Sequence, residues 1–158
     1  MAVTTYPLVF SFRDVIVGNG FVAHVAASGR VILTDEGDGD IWMFGVQPGG
    51  VAGGGRERSQ AFYEFKKNYR SVLFDIAIES STYEALESAI SSFYSEINHT
   101  HLEMWTEAVQ AVRAGKLSLP DLRSENADLF PSKIEIRRLD CRDASCNDNS
   151  FDEIRKAA

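Results

Sequence analysis

Cysteine is nearly missing from this chain, and the two that occur, Cys141 and Cys146, stand in a polar stretch near the C-terminus. A four-ligand zinc site would need two more ligands at suitable spacing, so the pair reads as unpaired thiols. Long apolar runs are missing too. None approaches the roughly 18–20 residues that span a bilayer, and no charged n-region leads into an apolar h-region. The expectation is a cytoplasmic protein with no membrane partner. Positive charge is the third shortage: 23 acids oppose 16 bases, a formal charge of −7. Nonspecific nucleic-acid affinity comes mainly from clustered Lys and Arg, so nucleic acid is not the expected direct ligand and a basic partner suits the charge better. Signatures of catalysis are equally scarce. The chain has no Gly-x-Ser-x-Gly elbow and no Cys and His pair with a defined local signature. His24, His99 and His101 are the only histidines, and a His-x-His pair on a helix points its rings about 200° apart. Surface histidines are expected, and no cofactor.

Against these shortages stands one densely patterned stretch, Gly37–Ala77. It holds a polar turn, the apolar segment Ile41–Val46, the loop Pro48–Gly55 and a helix over Arg56–Ala77. Ile41–Val46 suits a buried strand, whereas Pro48–Gly55 is expected to be irregular. Five of the chain's twelve glycines fall in that loop. Such density implies backbone that needs positive φ or a close approach by something. In the helix, Phe62, Phe65, Tyr69, Val72, Leu73 and Ile76 form one apolar stripe at helical period. Burying it is worth on the order of 10 kcal/mol before entropy, enough to anchor a sheet.

The remaining elements follow from turns, caps and periodicity. Leu8–Phe12 and Val15–Val17 lead to a hairpin signal at Gly18-Asn19-Gly20. Phe21–Ala27 returns as a strand, Ser28-Gly29 is expected to turn the chain, and Arg30–Thr34 continues before a third turn at Asp35–Asp40. The expected fold is α+β: an antiparallel meander of three to four strands packed by one long amphipathic helix, with the other face left for a partner. Ser81-Thr82-Tyr83-Glu84 and Thr100-His101-Leu102-Glu103 read as capping signals for two more helices, which end near Gly115 and are expected to form an antiparallel pair. Pro120 and Pro131 bracket an irregular segment, and Lys133–Leu139 alternates as a late, half-exposed strand. Residues 1–140 are expected to form one domain and residues 141–158 a polar, mobile tail.

Two groups of residues carry candidate chemistry. Asp35, Glu36, Asp38 and Asp40 crowd the turn before the central strand, without the Gly and terminal Glu of a calcium-binding loop. With Trp42 they are the candidate surface for a protein partner. Gly53, Gly54, Gly55 and Arg56 open the helix, and glycine loops in that position can cradle an anion on backbone N–H groups. The loop has neither the Lys-Ser/Thr ending of a P-loop nor the spacing of a dinucleotide fingerprint, and Glu57 separates Arg56 from Arg58.

The order Arg30–Asp35, Glu36–Asp40, Ile41–Val46, Pro48-Gly49, Val51-Ala52-Gly53 and Arg56–Ala77 resembles the core of the HicB-like antitoxins, over residues 30–80. The resemblance implies a partial RNase H-like fold, a sheet with one helix, in which Lys133–Leu139 supplies the strand after the helix. It also implies oligomerisation, and neutralisation of a small basic RNA-cleaving toxin by direct binding. That partial fold normally lacks the full carboxylate set, so it implies no nuclease. Glu57 stands where the family usually caps its helix with Thr or Ser, Gly50 where a Cys is common, and no DNA-binding module follows Lys133. The competing reading is an enzyme that holds an anion on loop 48–55 and a metal on turn 35–40. Trp105, Met104 and Phe93, on short helices, add an expectation of surplus apolar surface and hence of homo-oligomers.

Overall fold

The computed structural model describes residues 3–130, 132–139 and 153–158. The chain is α+β, with a mostly antiparallel sheet and three helices. Its frame is one long hairpin, β1 (Thr4–Val17) and β2 (Val22–Asp35), paired in continuous register from Thr4↔Asp35 to Val17↔Val22 and closed where Gly20 adopts φ 80°. The two short strands expected before the hairpin signal are thus one. The turn expected at Ser28-Gly29 is also absent. Gly29 sits inside β2 opposite Phe10, where an added Cβ would stand 2.4 Å from the Gln47 carbonyl oxygen and 2.8 Å from the Phe10 ring. The glycine answers a close approach across the sheet and not a reversal of the chain.

Shorter strands divide the flanks of the hairpin. On one side of β2, β3 (Ile41–Gln47) pairs with its second half and β6 (Lys133–Arg138) with its first, both antiparallel. β4 (Ala52–Gly55) extends the sheet beyond β3, so the second half of the glycine loop is regular structure. Beside β1 lies β7 (Glu153–Ala157), antiparallel to it and parallel to β5 (Ser124–Glu125). The end of the supposed mobile tail is therefore a strand of the sheet. Its polar letters are accommodated by partners: the Arg155 guanidinium pairs with Glu125 and Glu153 and lies over the Phe130 ring, while Ala157 is fully buried. Cys141 and Cys146 lie outside the described residues.

Strand alternation sends side chains to two separate cores. Leu8, Phe10 and Phe12 of β1, Val31 and Leu33 of β2 and Met43 of β3 meet α1 (Arg58–Glu79) and α2 (Tyr83–Ser95). Phe62, Phe65, Tyr69 and Leu73 of the predicted stripe are buried there, Ala61 and Ala77 complete it, and Val72 and Ile76 are only half-buried. Val9, Ile32 and Val46 point the other way, onto Trp105 and Val109 of α3 (His99–Arg113). The second face is therefore covered by the chain itself, and α2 and α3 are not a pair: they lie on opposite faces. Residues 96–98 carry the crossing, fixed by Gly49 N–H donating to Glu96 O at 2.8 Å and Asn98 N–H to Val46 O at 3.0 Å.

Thr82 caps α2, its hydroxyl accepting from Ala85 N–H at 3.1 Å. For α3 the cap is Asn98 and not Thr100; its side chain accepts from His101 N–H at 3.0 Å. Trp105 is 6% exposed, its indole N–H donates to Leu8 O at 3.0 Å, and the Arg30 guanidinium lies 5.0 Å from its ring centre. Phe93 and Met104 are likewise packed against the two cores. The surplus apolar surface expected on these helices is spent inside the fold. No helix among the described residues is long and apolar enough to cross a membrane.

Candidate functional site

The turn joining β2 to β3 is built by its own side chains. Asp35 Oδ1 accepts from Gly37 N–H at 2.9 Å and Asp38 Oδ1 from Asp40 N–H at 3.0 Å, with Gly37 and Gly39 at φ 79° and 95°. Asp and Gly alternate here because a carboxylate closes each small turn and a residue without Cβ takes the left-handed backbone that results. Residues 36–40 are all exposed and Asp35 is half-buried. Arg56 approaches Asp40 at 3.8 Å, with both side chains more than half exposed, a contact worth little in water.

Trp42 follows at the start of β3. It is 41% exposed, one of eight large hydrophobic side chains left exposed among the described residues. Its ring stacks on Phe44 with centroids 5.9 Å apart and an interplanar angle of 16°, and its inner edge lies over Gly54 in the neighbouring strand, where an added Cβ would stand 2.9 Å from the ring. Phe44 in turn packs on His101, whose Nδ1 lies 3.0 Å from Gly45 O. His101 is thus half-buried structure and not a surface group, while His99 is exposed. The stack leaves the indole half-open to solvent, two residues after Asp40 of the acidic turn.

The glycines of residues 49–55 answer the question their density raised. None has positive φ among Gly49, Gly50, Gly53, Gly54 and Gly55. What approaches is the protein: at Gly53 an added Cβ would stand 2.2 Å from Phe65 N and 2.7 Å from Ala61 O, so α1 rests directly on the β4 backbone. Asn68 reinforces the seat, its side-chain amide donating to Ala52 O at 2.7 Å. Gly55 is covered by Gln60, whose Oε1 accepts from Arg56 N–H at 2.9 Å. Gly53, Gly54 and Gly55 therefore meet a helix, an indole and an amide. Turn 35–40 is not a ligand cage either: among the described residues, no group of three or more His, Cys, Asp or Glu is placed to hold a metal ion.

One gathering was not foreseen from the sequence. Arg13 and Asp14 of β1 and Tyr63, Lys66, Lys67 and Arg70 of α1 line a pocket of about 320 Å³ with Phe12 at its base. The signal was present as the spacing 63, 66, 67 and 70, a second stripe of α1 beside the apolar one. Arg70 is fixed by Asp14, with Nε 2.8 Å from its carboxylate.

No family model, curated protein or solved structure matches the chain.

Proposed function

We propose that this chain is a non-catalytic binding protein that neutralises a small basic partner by direct contact. The order of segments over residues 30–80 resembles the HicB-type antitoxins, which makes an RNA-cleaving toxin the partner class. The observation that carries the reading is Trp42: a stacked indole, 41% exposed, that directly follows along the chain the acidic turn of Asp35, Glu36, Asp38 and Asp40. Buried aromatics at the centre of an interface supply most of its energy, and surrounding charge sets the rate and choice of encounter. The alternative, an enzyme using loop 48–55 and turn 35–40, has less support, because Gly53, Gly54 and Gly55 are covered by α1, Trp42 and Gln60. Self-association belongs to the proposal on the resemblance alone.

The test is association with the product of a short basic reading frame adjacent to the one encoding this chain. Charge reversal in Asp38→Lys/Asp40→Lys is expected to slow association about tenfold at low salt, with the difference shrinking as salt screens it. Trp42→Ala is expected to speed dissociation about thirtyfold, the scale of an aromatic hot spot. Unaltered binding in both variants overturns the reading. So does metal-dependent RNA hydrolysis by the chain that disappears in the charge-reversal variant.

A further inference from the structure

We propose that the partner meets Trp42 with an extended segment bearing arginine or lysine, which adds as a strand to the outer edge of β4. This rests on the reading of Trp42 as a partner site and specifies what docks there.

Backbone is the first argument. Gly45 N–H donates to Val51 O at 2.8 Å, one step along the register that pairs Phe44 with Ala52 and Trp42 with Gly54. Bonding direction alternates along an antiparallel ladder, so Gly53 and Gly55 turn their backbone groups to β3, and Ala52 and Gly54 turn theirs outward. Among the described residues β4 ends the sheet on that side. Side chains of α1 already serve the two ends of this edge: the Asn68 amide donates to Ala52 O at 2.7 Å, and Gln60 Oε1 accepts from Arg56 N–H at 2.9 Å. Between them Gly54 presents one N–H and one C=O, the pair that an added strand exchanges with a single opposing residue.

Side chains are the second. Thr34, Trp42 and Gly54 are cross-strand neighbours in one row of the sheet, on the face away from α1. A residue paired with Gly54 extends this row. Because Gly54 has no side chain the indole lies across it, so the next side chain in the row meets the indole itself. Glu36 and Asp40 pair two positions nearer the turn, Glu36 N–H donating to Asp40 O at 3.4 Å, and strand alternation sets both on the face that carries Trp42. Arg56 reaches Asp40 only at 3.8 Å, with both side chains more than half exposed, and Glu36 has no ion pair among the described residues. A guanidinium or ammonium over the indole is favoured by the ring and by these carboxylates together. A second copy of the chain, itself at −7, brings further carboxylates to the same place and fits worse.

The probe is the peptide Ac-Thr-Arg-Val-Arg-Val-Arg-Thr-NH2, titrated into the full chain at low ionic strength and followed by fluorescence. Trp42 is the reporter, since Trp105, the other tryptophan, is 6% exposed. Saturable binding is expected. A twin peptide N-methylated at its arginines keeps every side chain but loses the N–H groups that face β4, and is expected to bind about tenfold or more weakly. That comparison leaves the protein untouched and depends on no variant folding. Gly54→Ala and Gly54→Pro both displace the indole, but only proline also removes the N–H, so Gly54→Pro is expected to weaken the peptide about fivefold beyond Gly54→Ala. Equal binding of the two peptides, both lost in Trp42→Ala, overturns the added strand and leaves the Trp42 reading standing. Absence of peptide binding overturns the strand as well, and equal binding of a third peptide with glutamate in place of arginine overturns the reading with it. A dimer in light scattering that Gly54→Pro dissociates overturns the proposal in favour of a second copy on the β4 edge.

Discussion

Replacing Gly53 by Ala tests the explanation of the glycine loop directly. The new methyl carbon would stand 2.2 Å from Phe65 N, 2.7 Å from Ala61 O and 2.7 Å from Glu64 C, all of it helix backbone that has no rotamer to give. Comfortable contact lies near 3.5–4.0 Å, so α1 and β4 must part by about 1 Å. A gap of that size forfeits about a quarter to a half of the dispersion energy across the seam. Ala61 and Phe65 are fully buried at that seam, and burial of a large side chain is worth about 1.5–3 kcal/mol. With the strain on the Asn68 to Ala52 bond added, the expected loss is about 2–3 kcal/mol, within the usual cost of overpacking. Gly50→Ala is the internal control. Its φ is not positive and its added Cβ would meet only Phe93, at an ordinary 3.8 Å, so its expected change is between zero and a gain of about 1 kcal/mol. Equilibrium denaturation in urea, followed by far-ultraviolet circular dichroism and Trp fluorescence, measures both variants. If Gly53→Ala costs under about 1 kcal/mol, or no more than Gly50→Ala, the helix does not rest on β4 and the glycines need another explanation.

Phe65→Ala is expected to cost about 3–5 kcal/mol in the same assay, because the ring is fully buried and meets Phe10 edge-on at 5.3 Å. Trp105→Phe keeps the apolar bulk but loses the donor to Leu8 O and weakens the seat for Arg30; about 1–3 kcal/mol is expected, and a neutral result would place that indole outside the second core. At high pH, burial pushes the Tyr94 phenol up to about 12, despite the opposing influence of Arg30 and Ser132, and pushes Tyr69 further, helped by Tyr94. A phenol whose folded pKa exceeds its ordinary 10.0 contributes stability that is complete below pH 10 and is lost as pH rises through the folded value. Denaturation midpoints are therefore expected to fall between about pH 10 and 12, with phenolate absorbance lagging behind that of the unfolded chain. Simultaneous ionisation of all tyrosines near pH 10 would contradict the burial of these two.

Several features were legible in the letters because their causes are local. The apolar stripe of α1, the Thr82 cap, the hairpin at residues 18–20, the acidic turn and the alternation of Lys133–Leu139 each depend on residues within a few positions of one another. Period, capping groups and turn glycines act at that range, whatever the rest of the chain does. The sequence by itself therefore determined an α+β fold with α1 over a sheet.

Only tertiary structure decided what depended on distant partners. Gly29 looks like a turn until Phe10 and Gln47 occupy the space a side chain would need, and Gly53 looks like a ligand loop until α1 takes it. Trp105 looks like surplus apolar surface until Val9, Ile32 and Val46, projecting from the second face of the sheet, give α3 a core of its own. Glu153–Ala157 is too polar to announce a strand, and becomes one because β1 and β5 offer backbone partners on both sides while Glu125 and Phe130 receive Arg155. The same reason governs the acidic turn and the pocket between β1 and α1. The carboxylates preceding Trp42 are neighbours in sequence, whereas the pocket needs Arg13 and Asp14 brought against a helix fifty residues away, a juxtaposition made by packing Phe10 and Phe12 on Phe65 and Tyr69.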